Sequence, residues 1–154
     1  MNDWKLPWDA HCRCGRVKMR ITAPPLLTGA CHCIGCQRMT AGPYSLSVAV
    51  PSSGFEVVSG EPVIGGLHGE HRHYHCPHCK SWLFTRPHGM DEMVNVRATM
   101  LEDHAWFSPW IETCRSEGFP WAHTGAKHSF PNIPAAEVFG PLVAEFQEKG
   151  PRPT

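Results

Sequence analysis

Alternation of apolar and polar positions is the clearest local signal along the chain. Val17, Met19 and Ile21 fall on one side of an extended segment and Lys18 and Arg20 on the other, the pattern of a half-buried strand. Pro24-Pro25 ends that segment. Residues 45–50 and 55–59 predict two further strands, separated by a Pro51-Ser52-Ser53-Gly54 turn. His71-Arg72-His73-Tyr74-His75 predicts another, with the histidines on one exposed polar face and Arg72 and Tyr74 on the other. Residues 82–84, 93–97 and 110–113 complete the strands, and turns are expected at Gly65-Gly66 and Pro87-His88-Gly89. A single helix is predicted, late in the chain. Pro141 suits a first helical position, Leu142, Val143 and Phe146 share a face, and Gly150-Pro151 stops it.

These elements predict a mainly β, single-domain fold over residues 1–150, with a short C-terminal helix and a flexible tail at 151–154. No internal repeat or long linker divides the chain. At 154 residues, folding buries roughly 70% of the extended chain's surface, enough for a real core. The 14 Gly and 15 Pro suit short strands and turns better than long helices.

Charge and hydropathy narrow the partners. No apolar run approaches the roughly 20 residues that span a bilayer, so no membrane partner is expected. Residues 1–10 have neither the basic nor the apolar region of a signal peptide, and a cytoplasmic location is expected. Lys plus Arg equals Asp plus Glu at 14 each. A nucleic-acid binder would carry a basic excess, so none is expected as partner.

The cysteines change the picture most. There are eight, and without a secretion signal they point to metal before disulfides. Cys12 and Cys14 form a C-x-C pair, Cys31, Cys33 and Cys36 a C-x-C-x-x-C group, and Cys76 and Cys79 a C-x-x-C pair. Zinc takes four soft ligands in a tetrahedron. The simplest assembly joins Cys12, Cys14, Cys76 and Cys79 in a closed structural site. Cys31, Cys33 and Cys36 then remain. Three thiolates with an open fourth position is the ligand count of a catalytic zinc, and zinc deprotonates a bound thiol at neutral pH. A second structural site completed by a histidine, or a redox triad, are the alternatives at this stage. His32 is expected to be a solvated loop residue, with a proton carrier as the other reading. The histidines at 68, 71, 73, 75 and 78 are assigned no metal. Cys114 has no partner at ligand spacing and is expected to be a small buried hydrophobe.

Taken together, Cys12-Arg13-Cys14-Gly15, Cys31-His32-Cys33-Ile34-Gly35-Cys36-Gln37-Arg38 with Gly42 beyond, and Cys76-Pro77-His78-Cys79 before Trp82-Leu83-Phe84 resemble the glutathione-dependent formaldehyde-activating family, which includes the centromere protein V proteins. Phe119-Pro120-Trp121 is similar to the family's Pro-Trp segment, and the resemblance runs from about Ala10 to Pro134. It implies a β-tent fold around zinc. It implies structural zinc on Cys12, Cys14, Cys76 and Cys79, and catalytic zinc on Cys31, Cys33 and Cys36. It also implies a carbon–sulfur lyase that combines a small thiol such as glutathione with a small aldehyde such as formaldehyde, giving S-hydroxymethylglutathione. Lys80 stands where the family usually has Gly, and His75 where an aromatic is common. Arg38 is expected to be a solvated surface arginine, with the holding of a substrate carboxylate as the other reading. The rival functions are a non-catalytic zinc-stabilised binding module and a thiol redox or metal sensor.

Overall fold

The computed structural model describes residues 3–65 and 69–154. Along them run β1 (Trp8–His11), β2 (Lys18–Ile21), β3 (Leu27–Cys31), α1 (Ile34–Thr40), β4 (Ser45–Pro51), β5 (Phe55–Ser59) and β6 (Val63–Gly65). These are followed by β7 (Arg72–His75), β8 (Trp82–Arg86), β9 (Met93–Arg97), β10 (Ile111–Thr113), β11 (His128–Ser129) and α2 (Ala136–Lys149). The strands form a three-stranded sheet, β1-β2-β5, and an eight-stranded one, β11-β10-β3-β4-β9-β8-β7-β6. Most neighbours are antiparallel, but β10 runs parallel to both β3 and β11. No helix among the described residues is long and apolar enough to cross a membrane.

The predicted alternation explains how the sheets pack. Met19 and Ile21 of β2 and Phe55 of β5 face Val48 and Val50 of β4, Val94 and Val96 of β9, and Phe84 of β8 in one core cluster. Apolar burial of this kind contributes about 25 cal/mol per Å². At one end, Trp4, Trp8 and Trp106 meet with centroid separations between 5.0 and 6.3 Å, and Phe146 of α2 stacks on Trp4. The opposite face of the large sheet is covered as well. Ser45, Ser47 and Ala49 of β4 and Met93, Asn95 and Arg97 of β9 line a cavity there, roofed by Phe139 and Val143 of α2.

Several expectations need correction. The late helix begins at Ala136, so Pro141 lies inside it and not at its start. A proline there removes one backbone hydrogen bond, and the missing bond falls on exposed Glu137. Burial of Leu142 and Phe146 outweighs that loss. The last residues lie against the N-terminal cluster: the Arg152 guanidinium sits 3.7 Å above the Trp4 ring, and Pro153 is buried. The histidine face of β7 is not uniformly exposed, because His73 is buried against Thr85 (2.8 Å) and His75 stacks on Trp82. His68 and Gly66 lie outside the described residues.

Candidate metal centres

Cys12 and Cys14 follow β1, and Cys76 and Cys79 occupy the connection between β7 and β8. Their four Sγ atoms all lie within 4.8 Å of one another. Cys12 to Cys14 is 3.5 Å and Cys14 to Cys76 is 3.7 Å. A tetrahedron with Zn–S near 2.3 Å puts sulfurs about 3.8 Å apart, so these residues fit a tetrahedral metal. Local backbone turns hold the thiols ready. The Val17 N–H donates to Cys12 Sγ at 3.3 Å and the Cys79 N–H to Cys76 Sγ at 3.5 Å. Burial opposes charge on Cys79, but hydrogen bonds from the hydroxyl and backbone of Ser81 outweigh it and bring its pKa down to about 5. Cys12 is lowered too, with the Val17 N–H overcoming its burial. At Cys14 a favourable Arg16 N–H is outweighed by burial and the neighbouring thiolates, which push it up to about 11. Anionic thiols crowded in this way invite a cation.

The second group forms where β3 runs into α1. Cys31 ends β3, and Cys33 is the N-cap of α1, its Sγ accepting the Cys36 N–H at 3.3 Å. Cys36 sits in the first turn, so strand end, cap and turn converge three thiols within 4.8 Å. Hydrogen bonds from Cys33 and Cys36 hold Cys31 far below the ordinary thiol range, and the same contacts push Cys33 and Cys36 up. Such crowding opposes ionisation of all three thiols together. A metal ion would allow all three to ionise. No histidine or carboxylate joins this group among the described residues. Of the alternatives read from the sequence, completion by a histidine is therefore the one this geometry does not support.

Around the cluster the sequence reading needs revision at His32 and, in part, at Cys114. His32 is fully buried, not solvated, and its Nε2 lies 3.1 Å from Glu112 Oε2. Glu112 in turn accepts from Thr124 (2.5 Å) and Ser129 (2.8 Å). Its burial raises its pKa, but Thr124, His32 and Ser129 more than reverse this and keep the carboxyl below its usual range. The Gln37 amide donates to the His32 carbonyl at 2.7 Å, tying α1 to the same loop. Cys114 is buried as expected, yet it is not remote: its thiol hydrogen-bonds with Cys31, and burial followed by the Cys31 charge pushes it up to about 12. Arg38 is exposed on α1 and does not line the cavity.

The cluster opens into that cavity, about 500 Å³ in volume, which Cys31, Cys33, Cys36 and Cys114 line at one end. Sequence reasoning missed the residue that dominates its electrostatics. Arg97 is only 6% exposed, and its guanidinium lies 4.0 Å from the Trp82 ring centroid. Burial lowers its pKa to about 10, partly offset by Cys36 and Cys31, so it stays a cation at neutral pH. The only sequence cue was its place after Val94 and Val96, on the face of β9 opposite the core.

No curated protein matches this chain. Among solved structures, the crystal structure of a Rhodobacter sphaeroides protein superposes with a TM-score of 0.52 at 20% identity, covering 61% of this chain and 87% of that one. That likeness concerns the fold alone. The sequence pattern of one family, described as glutathione-dependent formaldehyde-activating enzyme, matches residues 7–116, a span holding all eight cysteines. With seven of those thiols gathered into two groups of metal-binding geometry inside that span, the chain belongs to the glutathione-dependent formaldehyde-activating enzyme family.

Proposed function

We propose that this protein is a zinc-dependent enzyme of carbon–sulfur lyase type that joins or separates a small thiol and a small aldehyde, as in glutathione plus formaldehyde giving S-hydroxymethylglutathione. Cys12, Cys14, Cys76 and Cys79 would hold a structural zinc within a β-tent fold, and Cys31, Cys33 and Cys36 the catalytic one. The observation that carries this reading is the different setting of the two groups. The first has four thiols and completes its own tetrahedron, whereas the second has three and faces a cavity of about 500 Å³. When bound, zinc supplies Lewis acidity and keeps a substrate sulfur ionised at neutral pH. The protein's own residues do the rest. The Cys36 N–H holds Cys33 in place, and the His32–Glu112 pair, buried behind the cluster, fixes the loop that carries Cys31 and Cys33. The largely apolar walls would limit the access of water that competes with the thiol by hydrating the aldehyde. A cytoplasmic setting, where thiols stay reduced, accords with this chemistry.

The test is NMR exchange spectroscopy of formaldehyde and its glutathione adduct with zinc-loaded protein. Acceleration is expected, and Cys33→Ser should abolish it while lowering zinc from about two to about one per chain. No acceleration with both zincs present would reject this substrate pair.

A further inference from the structure

Arg97 is a buried cation with no carboxylate partner among the described residues, and only the charge of Cys36 and Cys31 offsets part of its burial. Its guanidinium carries five N–H donors, and one hydrogen bond uses them, from Nη2 to the Asn95 carbonyl at 3.3 Å. Nε is buried without a partner, and no carboxylate lies within ion-pair distance. The indole N–H of Trp82, beneath the guanidinium, is also buried without a partner. Leaving buried donors unmatched is costly, and a ligand in the cavity they line would complete them. Both residues line the same cavity as the three thiols.

We propose that Arg97, with Trp82 beside it, forms a carboxylate-binding subsite in this cavity, and that the molecule handled at the thiol cluster is an apolar monocarboxylate. One cation selects one anion. No Asp, Glu or Lys lines the cavity; besides Arg97 its titratable lining is the thiol cluster with His71 and His73. Leu26, Leu27, Met93, Ile111, Phe139 and Val143 supply walls for an apolar body. The proposal rests on the thiol–aldehyde reading for what the cluster does, and on Arg97 and Trp82 for the anion.

The experiment therefore uses probes without a thiol: calorimetry of zinc-loaded protein with 3-phenylpropanoate and with its uncharged amide. The acid should bind roughly tenfold tighter or more, since a buried charge-assisted fork is gained. In Arg97→Gln its affinity should fall to that of the amide, whose own affinity stays. Equal binding of acid and amide to the wild type overturns the proposal. So does a preference that survives in Arg97→Gln, because the anion is then held elsewhere, for example on zinc. Should Arg97→Gln not fold, Arg97→Lys decides: the acid weakens several-fold as the planar fork is lost, and unchanged affinity refutes the subsite. Thiol–aldehyde exchange is assayed separately. Its absence with every thiol tried, alongside Arg97-dependent acid binding, fails the enzyme reading and leaves the subsite standing.

Discussion

Lys80 shows how one residue can carry a conflict between family pattern and chain. Its φ is +63°, in the left-handed region, directly after Cys79. The backbone turns there because the Lys80 N–H returns to the Cys76 carbonyl at 3.0 Å, closing the loop that presents both thiols. Glycine adopts such a φ without penalty, which explains the family's usual Gly, whereas a side chain costs about 1 kcal/mol or more. The compensating contact, Lys80 Nζ to the Pro77 carbonyl at 2.8 Å, is solvent-exposed and weak. Lys80→Gly should therefore stabilise the zinc-loaded protein by up to about 1 kcal/mol, after the greater freedom glycine gives the unfolded chain. Urea unfolding at fixed zinc measures it, and a lower midpoint would show that the lysine contact matters more than the backbone. The thiol groups were legible because ligand spacing is local. His32 and Arg97 were not: each is polar, and only the tertiary fold, through Glu112 at 3.1 Å or Trp82 at 4.0 Å, makes its burial tolerable.

At the scale of elements, β5 and β9 coincide with the expected segments because β-branched residues dominate them, with alternation clearest at Val94 and Val96 of β9. β3 escaped notice since Leu27-Thr28-Gly29-Ala30-Cys31 has no period-2 contrast and is covered on both faces. α1 escaped because its seven residues are too few for a helical stripe and begin on the ligand loop. α2 shows what tertiary contact adds. Glu145 on α2 takes Lys127 at 2.7 Å, His128 at 2.5 Å and the Trp110 indole at 3.2 Å, fastening the helix over β10 and β11. Lys127, then His128, holds the Glu145 carboxyl down to about 2, from an ordinary 4.5. A depressed carboxylate pKa stabilises the fold above the unfolded value and loses that contribution as pH falls through the folded one. Stability should thus decline between about pH 4.5 and about pH 2, and Glu145→Gln should flatten that limb while lowering stability at neutral pH. Thermal melts across the range check it. A wild-type slope that Glu145→Gln leaves intact would assign acid sensitivity to other groups.

For the whole molecule, the position of the four-thiol site matters more than its chemistry. Cys14 and Cys76 are 62 residues apart, one beside the small sheet and the other in the β7–β8 connection of the large one. A metal there ties the two sheets across the core they share, closing a long loop in the unfolded chain. The three-thiol group spans only β3 and α1, which the β3–β4 and β3–β10 pairings already hold together. Removing zinc should therefore have unequal effects. In the proposed two-zinc protein, a competing chelator should first take the zinc of Cys31, Cys33 and Cys36, which opens on the cavity, with circular dichroism unchanged. The second zinc should leave only as the fold is lost, because structural zinc of this kind contributes on the order of 10 kcal/mol of apparent binding energy. Cys76→Ser should reproduce the second step and fail to give a cooperative melt, while Cys33→Ser reproduces the first and melts within a few degrees of wild type. Metal release followed by a colorimetric chelator, alongside dichroism at the same times, separates the cases. If both zincs leave a protein that keeps its dichroism and its melt, the apolar contacts of Met19, Ile21 and Phe55 with the large sheet suffice. The four-thiol site would then be dispensable to the fold, and its retention would need a reason in function.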